Sequence, residues 1–201
     1  MSRLFALLPG MVLLAYPFVV WWGLHQGELI WLCLALGLLF ALRLLPQPVR
    51  WREMAALSRL LAGMGLLLCS LSLLCRRADL LLYYPVLVSG SLLALFGWSL
   101  WQPMTLVERI ARLQEPQLPP AAIRYTRQVT RIWCGFFIFN GAIAIATIWH
   151  GDLALWSLYN GLLSYLLMGT LMAGEWLVRQ RVRARLVQDG GDEPECEEPE
   201  C

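Results

Sequence analysis

The chain holds two histidines, and each has a carboxylate close by: His25-Gln26-Gly27-Glu28 and His150-Gly151-Asp152. Imidazole and carboxylate together are ligands for zinc or partners in acid–base chemistry. No tighter spacing joins His25, Glu28, His150 and Asp152, so a metal site and plain solvation of short loops both stay open. Glu175 and Arg179 stand at i and i+4, the favourable order for an ion pair on a helix. Turned inward instead, Glu175 would suit proton coupling. Asn140 interrupts the apolar run Phe136-Phe137-Ile138-Phe139-Asn140-Gly141. An amide there serves either an interhelical hydrogen bond or a ligand contact. Tyr159, Asn160, Ser164 and Tyr165 form a second polar stripe, fit to line a cavity or simply to pack. Arg124, Arg127 and Arg131 follow at i, i+3 and i+7, one cationic stripe on a helix.

Beyond these there is little that speaks of catalysis. The sequence has no HExxH, no phosphate-cradling glycine loop, no GxSxG and no cytosolic CxxC. No catalytic residue and no cofactor is expected. Nor do the two halves show the paired broken helices of many transporters.

These side chains must be positioned by helices inside a bilayer. At 201 residues the chain is 59% hydrophobic, with mean hydropathy +0.60, whereas soluble domains average about 45–50% apolar. A crossing needs roughly 20 mostly apolar residues. Six segments qualify: Leu4–Leu24, Leu29–Leu45, Ala56–Cys75, Leu80–Trp101, Ile132–Trp149 and Leu153–Val178. The expected fold is all-α, a polytopic membrane bundle over residues 1–188. The first segment is longer than the h-region of a signal peptide and no small-x-small site follows, so it reads as a retained helix.

Direction follows from arginine, because cationic flanks stay on the cytoplasmic side. All sixteen basic residues are arginine. With the N-terminus inside, fourteen fall in inner flanks and only Arg76 and Arg77 fall outside. Both termini are thus expected in the cytoplasm of a bacterium, the chain lying in its inner membrane. The ten tryptophans agree, since all map near span ends, where amphipathic rings favour the headgroup boundary.

Two stretches outside the spans have character. Thr105-Leu106-Val107-Glu108 has the form of a capping box. It opens an expected interfacial helix over 105–115, with Leu106, Val107, Ile110 and Leu113 on one face and Glu108, Arg112 and Glu115 on the other. Leu118-Pro119-Pro120 then starts a helix that runs on into the fifth span. The other stretch is residues 189–201, where Asp192-Glu193-Pro194-Glu195-Cys196 is nearly repeated by Glu197-Glu198-Pro199-Glu200-Cys201. Such a block cannot bury a core and is expected to be a disordered acidic tail. Seven of the fourteen acids lie there, so residues 1–188 carry sixteen arginines against seven carboxylates, a formal +9. That inner face suits anionic headgroups. Lipid, not nucleic acid, is the expected partner. Cys33, Cys69, Cys75 and Cys134 lie in or beside spans and imply no disulfide framework.

The residues Leu7-Leu8-Pro9, Trp101-x-Pro103, Leu118-Pro119 and Trp133-x-x-Phe136-Phe137-x-x-Asn140 resemble the intracellular septation protein A family of bacterial inner-membrane proteins. The chain also resembles a related group encoded among aryl-polyene or fatty-acid-like synthesis genes. The distance from Leu118-Pro119 to Trp133 is longer than in the septation pattern, and the acidic tail is additional. The resemblance implies membrane placement and carries over no catalytic residue.

Three functions follow as expectations. One is a non-enzymatic protein supporting cell-envelope assembly through lipid or protein partners. Another is a carrier of a lipid-like, acyl or polyene molecule. There, Arg124, Arg127 and Arg131 would engage an acidic headgroup or an acyl carrier protein, and a membrane-opening cavity would be lined by Asn140, Asn160 and Ser164. The third is a membrane enzyme using the outer histidines and carboxylates.

Overall fold

The computed structural model describes residues 16–27, 29–44, 52–113 and 117–189, with side chains omitted for 52–55 and 181–189. Among them every regular element is helical. A helix over 16–25 (α1) turns at Gly27, whose φ of +70° only glycine adopts freely. Next come α2 (Leu29–Leu44) and α3 (Arg52–Cys75), then a tight 3₁₀ turn, Ala78–Tyr83. They are followed by α4 (Tyr84–Trp101), α5 (Leu106–Arg112) and α6 (Pro120–His150), and finally by α7 (Leu153–Leu158), a π-turn at Tyr159–Leu163 and α8 (Ser164–Asp189).

Four stretches are long and apolar enough to cross a membrane: Ala56–Cys75, Ala78–Trp101, Pro120–His150 and Leu153–Gln180. At 16 residues α2 is shorter, about 24 Å at 1.5 Å per residue. The first expected span lies partly outside the described residues, as do Glu28, Trp51 and the acidic repeat. Mid-helix side chains such as Leu38, Ile138, Phe139 and Leu166 are more than half exposed. A surface of that kind fits an apolar solvent. The protein is a helical membrane protein.

Local chemistry explains the boundaries. Helix α3 closes with the Arg77 N–H on the Ser72 carbonyl and the Arg76 N–H on Leu73, the paired bonds of a Schellman end. Arg76 occupies the left-handed position at φ 51°, where glycine is usual. Pro85 has no N–H to offer the carbonyl four residues back, that of Leu81. The Tyr16 hydroxyl donates to that carbonyl at 2.7 Å, beside the Tyr84 N–H. Pro120 stands at the start of α6, which runs unbroken from the arginine stripe through the apolar segment to Gly151 at φ 79°. Asp152 then caps α7, accepting from the Ala154 and Leu155 N–H groups at 2.8 and 3.2 Å.

The helix expected over 105–115 covers Leu106–Arg112, and it differs from the expected pattern at Glu108. Thr105 accepts from the Glu108 N–H at 3.3 Å, which is half a capping box. The Glu108 carboxylate does not reach back; it is buried and pairs with Arg112 at 2.9 Å. Ile110 and Leu113, from the expected apolar face, are exposed. In a bilayer an apolar side chain is at home facing outward, so the ion pair takes the protein side.

Two packing units result. Helices α2 and α3 pair closely, and the Phe40 ring lies over Gly65, where an added Cβ would sit 2.5 Å from it. Phe40, Tyr16 and Tyr84 stack around that contact, with ring centroids 5.0 Å apart for Phe40–Tyr84 and 4.7 Å for Tyr16–Tyr84. Helices α4 and α6 form the other pair, drawn together at Gly141, where a Cβ would meet Ser89 at 3.4 Å. The small residues Gly141 and Ala144 face inward, while Ala142 and Ala146 face out.

Candidate functional site

Asn140 is the centre of a hydrogen-bonded chain that crosses three elements. Its Nδ2 donates to Ser89 Oγ on α4 at 3.1 Å, and its Oδ1 accepts from the Tyr159 hydroxyl at 3.1 Å. All three side chains are buried. Asn140 lies ten residues below the end of α6 at His150. That is about 15 Å, half of a hydrocarbon core of about 30 Å. The amide therefore sits near the middle of the bilayer, where few polar groups are tolerated unless they are satisfied.

Tyr159 opens the π-turn, in which the Ser164 N–H returns to the Tyr159 carbonyl five residues back. Such a turn widens a helix and is frequent at functional sites. Here Asn160 Nδ2 donates to the Trp156 carbonyl at 2.9 Å and Ser164 Oγ donates to the Asn160 carbonyl at 3.1 Å. Trp156 in turn donates from Nε1 to Leu82 at 3.2 Å, fixing this helix against the 3₁₀ turn. Gly161 makes room for the Phe18 ring, 2.8 Å from where its Cβ would lie.

Between these elements is a cavity of about 160 Å³. Its polar lining comprises Tyr16, Tyr84, Ser89, Asn140, Asn160, Ser164 and Tyr165, and the rest is apolar, including Val88, Leu92, Phe137 and Met168. Val88, Leu92, Tyr165 and Met168 keep part of their surface exposed, so the space is not sealed all round. Two lining atoms are buried without a hydrogen-bond partner among the described residues: the Tyr84 hydroxyl and Asn160 Oδ1. Buried polar groups are nearly always paired, and each exception calls for an explanation. Arg43, buried at the end of α2, lies within electrostatic reach of Tyr84 and Tyr165.

The other residues singled out in the sequence lie apart from this space. Arg124, Arg127 and Arg131 are exposed on the first turns of α6. Arg127 donates to the Leu100 carbonyl at 2.8 Å and so caps α4. Glu175 is half-buried, and its backbone carbonyl accepts from Tyr125 at 3.1 Å, tying α8 to the start of α6. His25 and His150 are exposed; His25 stacks on Trp21 with centroids 4.8 Å apart. Asp152 is engaged as the α7 cap. Among the described residues no three His, Cys, Asp or Glu side chains are grouped to hold a metal.

Sequence reasoning missed Tyr16, Tyr84 and Ser89. A faint signal was there in Tyr83-Tyr84-Pro85, two phenols before a proline at the head of a span. Nothing in one sequence said that α1 would bring Tyr16 to the same place. No protein family, curated protein or solved structure matches this chain.

Proposed function

We propose that this chain is a six-span protein of a bacterial inner membrane, with both termini cytoplasmic, that holds an apolar lipid-like, acyl or polyene molecule between its helices in support of cell-envelope assembly. The observation that carries the reading is the mid-membrane cavity with its two orphaned polar atoms. Its volume is close to the roughly 150 Å³ that takes a benzene ring. It therefore accommodates a ring or the end of a chain rather than a whole lipid, the remainder lying in the bilayer. Binding of this kind requires no catalytic group.

The six spans count α1, with the apolar residues before it, and the short α2 alongside the four long helices. The orientation rests on fourteen arginines against two. It is supported by exposed Trp98 and Trp101 beside Arg127, all at the end of the bundle assigned to the cytoplasm. The resemblance to septation proteins adds the envelope setting. An acyl carrier protein docking on Arg124 and Arg131 is the matching partner for delivery from the cytoplasm.

Two experiments test this. Organic extraction of the chain purified in mild detergent, read by mass spectrometry, should yield one enriched acyl or polyene species. Val88→Trp, which fills the cavity, should lower it at least about ten-fold, the equivalent of about 1.4 kcal/mol. The same lipids in both preparations would refute the binding role. For topology, an impermeant maleimide should label intact cells at exposed Cys75, and Cys75→Ser should abolish the signal. Labelling of intact cells that survives Cys75→Ser and is lost on replacing Cys196 and Cys201 would reverse the orientation.

A further inference from the structure

The two unpartnered atoms specify more than an apolar cavity does. Asn160 Oδ1 is an acceptor and needs a donor; the Tyr84 hydroxyl offers both a donor and an acceptor. Each belongs to a side chain over nine-tenths buried, 4% and 2% exposed respectively. One N–H of the Asn160 Nδ2 holds the Trp156 carbonyl at 2.9 Å, which fixes the amide orientation and leaves Oδ1 as the acceptor without a partner. Ser89 and Asn140 each have a partner, in one another and in Tyr159. The lining atoms with none call for a group that donates to Asn160 Oδ1 and one that can accept from or donate to Tyr84.

We infer that the cavity takes the hydroxyl-bearing end of an otherwise apolar molecule. This rests on the binding role proposed above and names the ligand chemistry at the same site. A single hydroxyl has one donor and two acceptor positions, so it has the valence to answer either atom of the lining. A hydrocarbon end leaves both unpaired in a low-dielectric interior, where an unmet group is most costly. A carboxylate has no proton for Asn160 Oδ1, and Arg43, within electrostatic reach of Tyr84 and Tyr165, already has interactions within the fold. An ammonium group finds no carboxylate among the lining residues. The aromatic wall of Tyr16, Tyr84 and Phe137 then contacts the apolar body of the ligand. The consequence is an inverted amphiphile, with a polar tip held at the membrane centre rather than at its surface.

The test uses the full-length chain in non-ionic detergent and three fluorinated probes read by ¹⁹F NMR, each corrected for partition into empty micelles. The probes are fluorobenzene, 4-fluorophenol and 4-fluorobenzoate. The phenol should bind about ten-fold tighter than fluorobenzene, as one or two modest hydrogen bonds imply, and 4-fluorobenzoate should bind most weakly. Asn160→Leu and, separately, Tyr84→Phe should each bring the phenol-to-fluorobenzene ratio toward one while leaving fluorobenzene binding in place. Tyr84→Phe keeps the ring stacking, so it guards against misfolding of the Asn160 variant. Equal binding of phenol and fluorobenzene, the outcome if water alone answers the two atoms, overturns the hydroxyl inference and leaves the cavity as a ligand site. Preference for 4-fluorobenzoate overturns it in favour of an anion. If no probe binds, the inference and the binding role fall together.

Discussion

The α2–α3 pair and the α4–α6–α8 region solve the same problem in opposite ways. Lipid is as apolar as leucine, so helices in a bilayer gain little from hiding hydrophobic surface and must associate through close packing or polar contacts. Helices α2 and α3 use shape: glycine against a ring, Gly65 under Phe40, with Tyr16 and Tyr84 stacked behind it. Helices α4 and α6 and the π-turn before α8 use a hydrogen-bonded chain, Ser89–Asn140–Tyr159, around a space that packing leaves open. The contrast sets a half held by a ring against a glycine beside a half built around a polar-lined space.

That contrast can be broken at single glycines. Gly65→Ala should be the most damaging change, costing about 3 kcal/mol, the upper end for overpacking. Phe40 is buried among two other rings and cannot move aside. Thermal unfolding in detergent would show it, and Phe40→Leu should restore part of the loss in the double variant. If Gly65→Ala is silent, the shape-packed half has been misjudged. Gly161→Ala meets Phe18 at a similar distance, yet Phe18 is half exposed toward lipid and free to swing. A cost of about 1 kcal/mol is expected there.

Polar substitutions sharpen the other side. Asn140→Leu removes the middle of the chain and should cost on the order of 0.6 kcal/mol, up to about 1.7, as membrane hydrogen bonds do. It should alter ligand retention more than melting temperature, since Asn140 lines the cavity. Arg76→Gly should be of similar size and opposite sign. Relieving a non-glycine left-handed residue is worth roughly 0.5–1 kcal/mol, and a melting temperature raised by a degree or more would confirm it.

How far the sequence spoke differs between the two halves as well. Apolar run length gave the long helices, and Leu118-Pro119-Pro120 marked the start of α6. Both are local features of the chain. Asn140, Asn160 and Ser164 stood out because polar residues inside apolar runs are rare. The stacking of Phe40 on Tyr84, the meeting of Tyr16 with Leu81 and the π-turn at Tyr159 were not legible. They depend on how distant helices lie against one another, which no local pattern encodes. Glu108 on α5 was not legible for the same reason: its burial beside Arg112 depends on the helices packed around it.

The most direct test is photolabelling in reconstituted vesicles with a fatty alcohol carrying a mid-chain diazirine. Peptides of the cavity wall, Tyr84–Leu92 and Asn160–Met168, should capture it at least several-fold above the equally lipid-facing Leu34–Leu42 stretch of α2. Excess unlabelled fatty alcohol should remove that difference. Labelling spread evenly over both halves, unaffected by competitor, would contradict the claim that this protein keeps a binding site at the centre of the membrane.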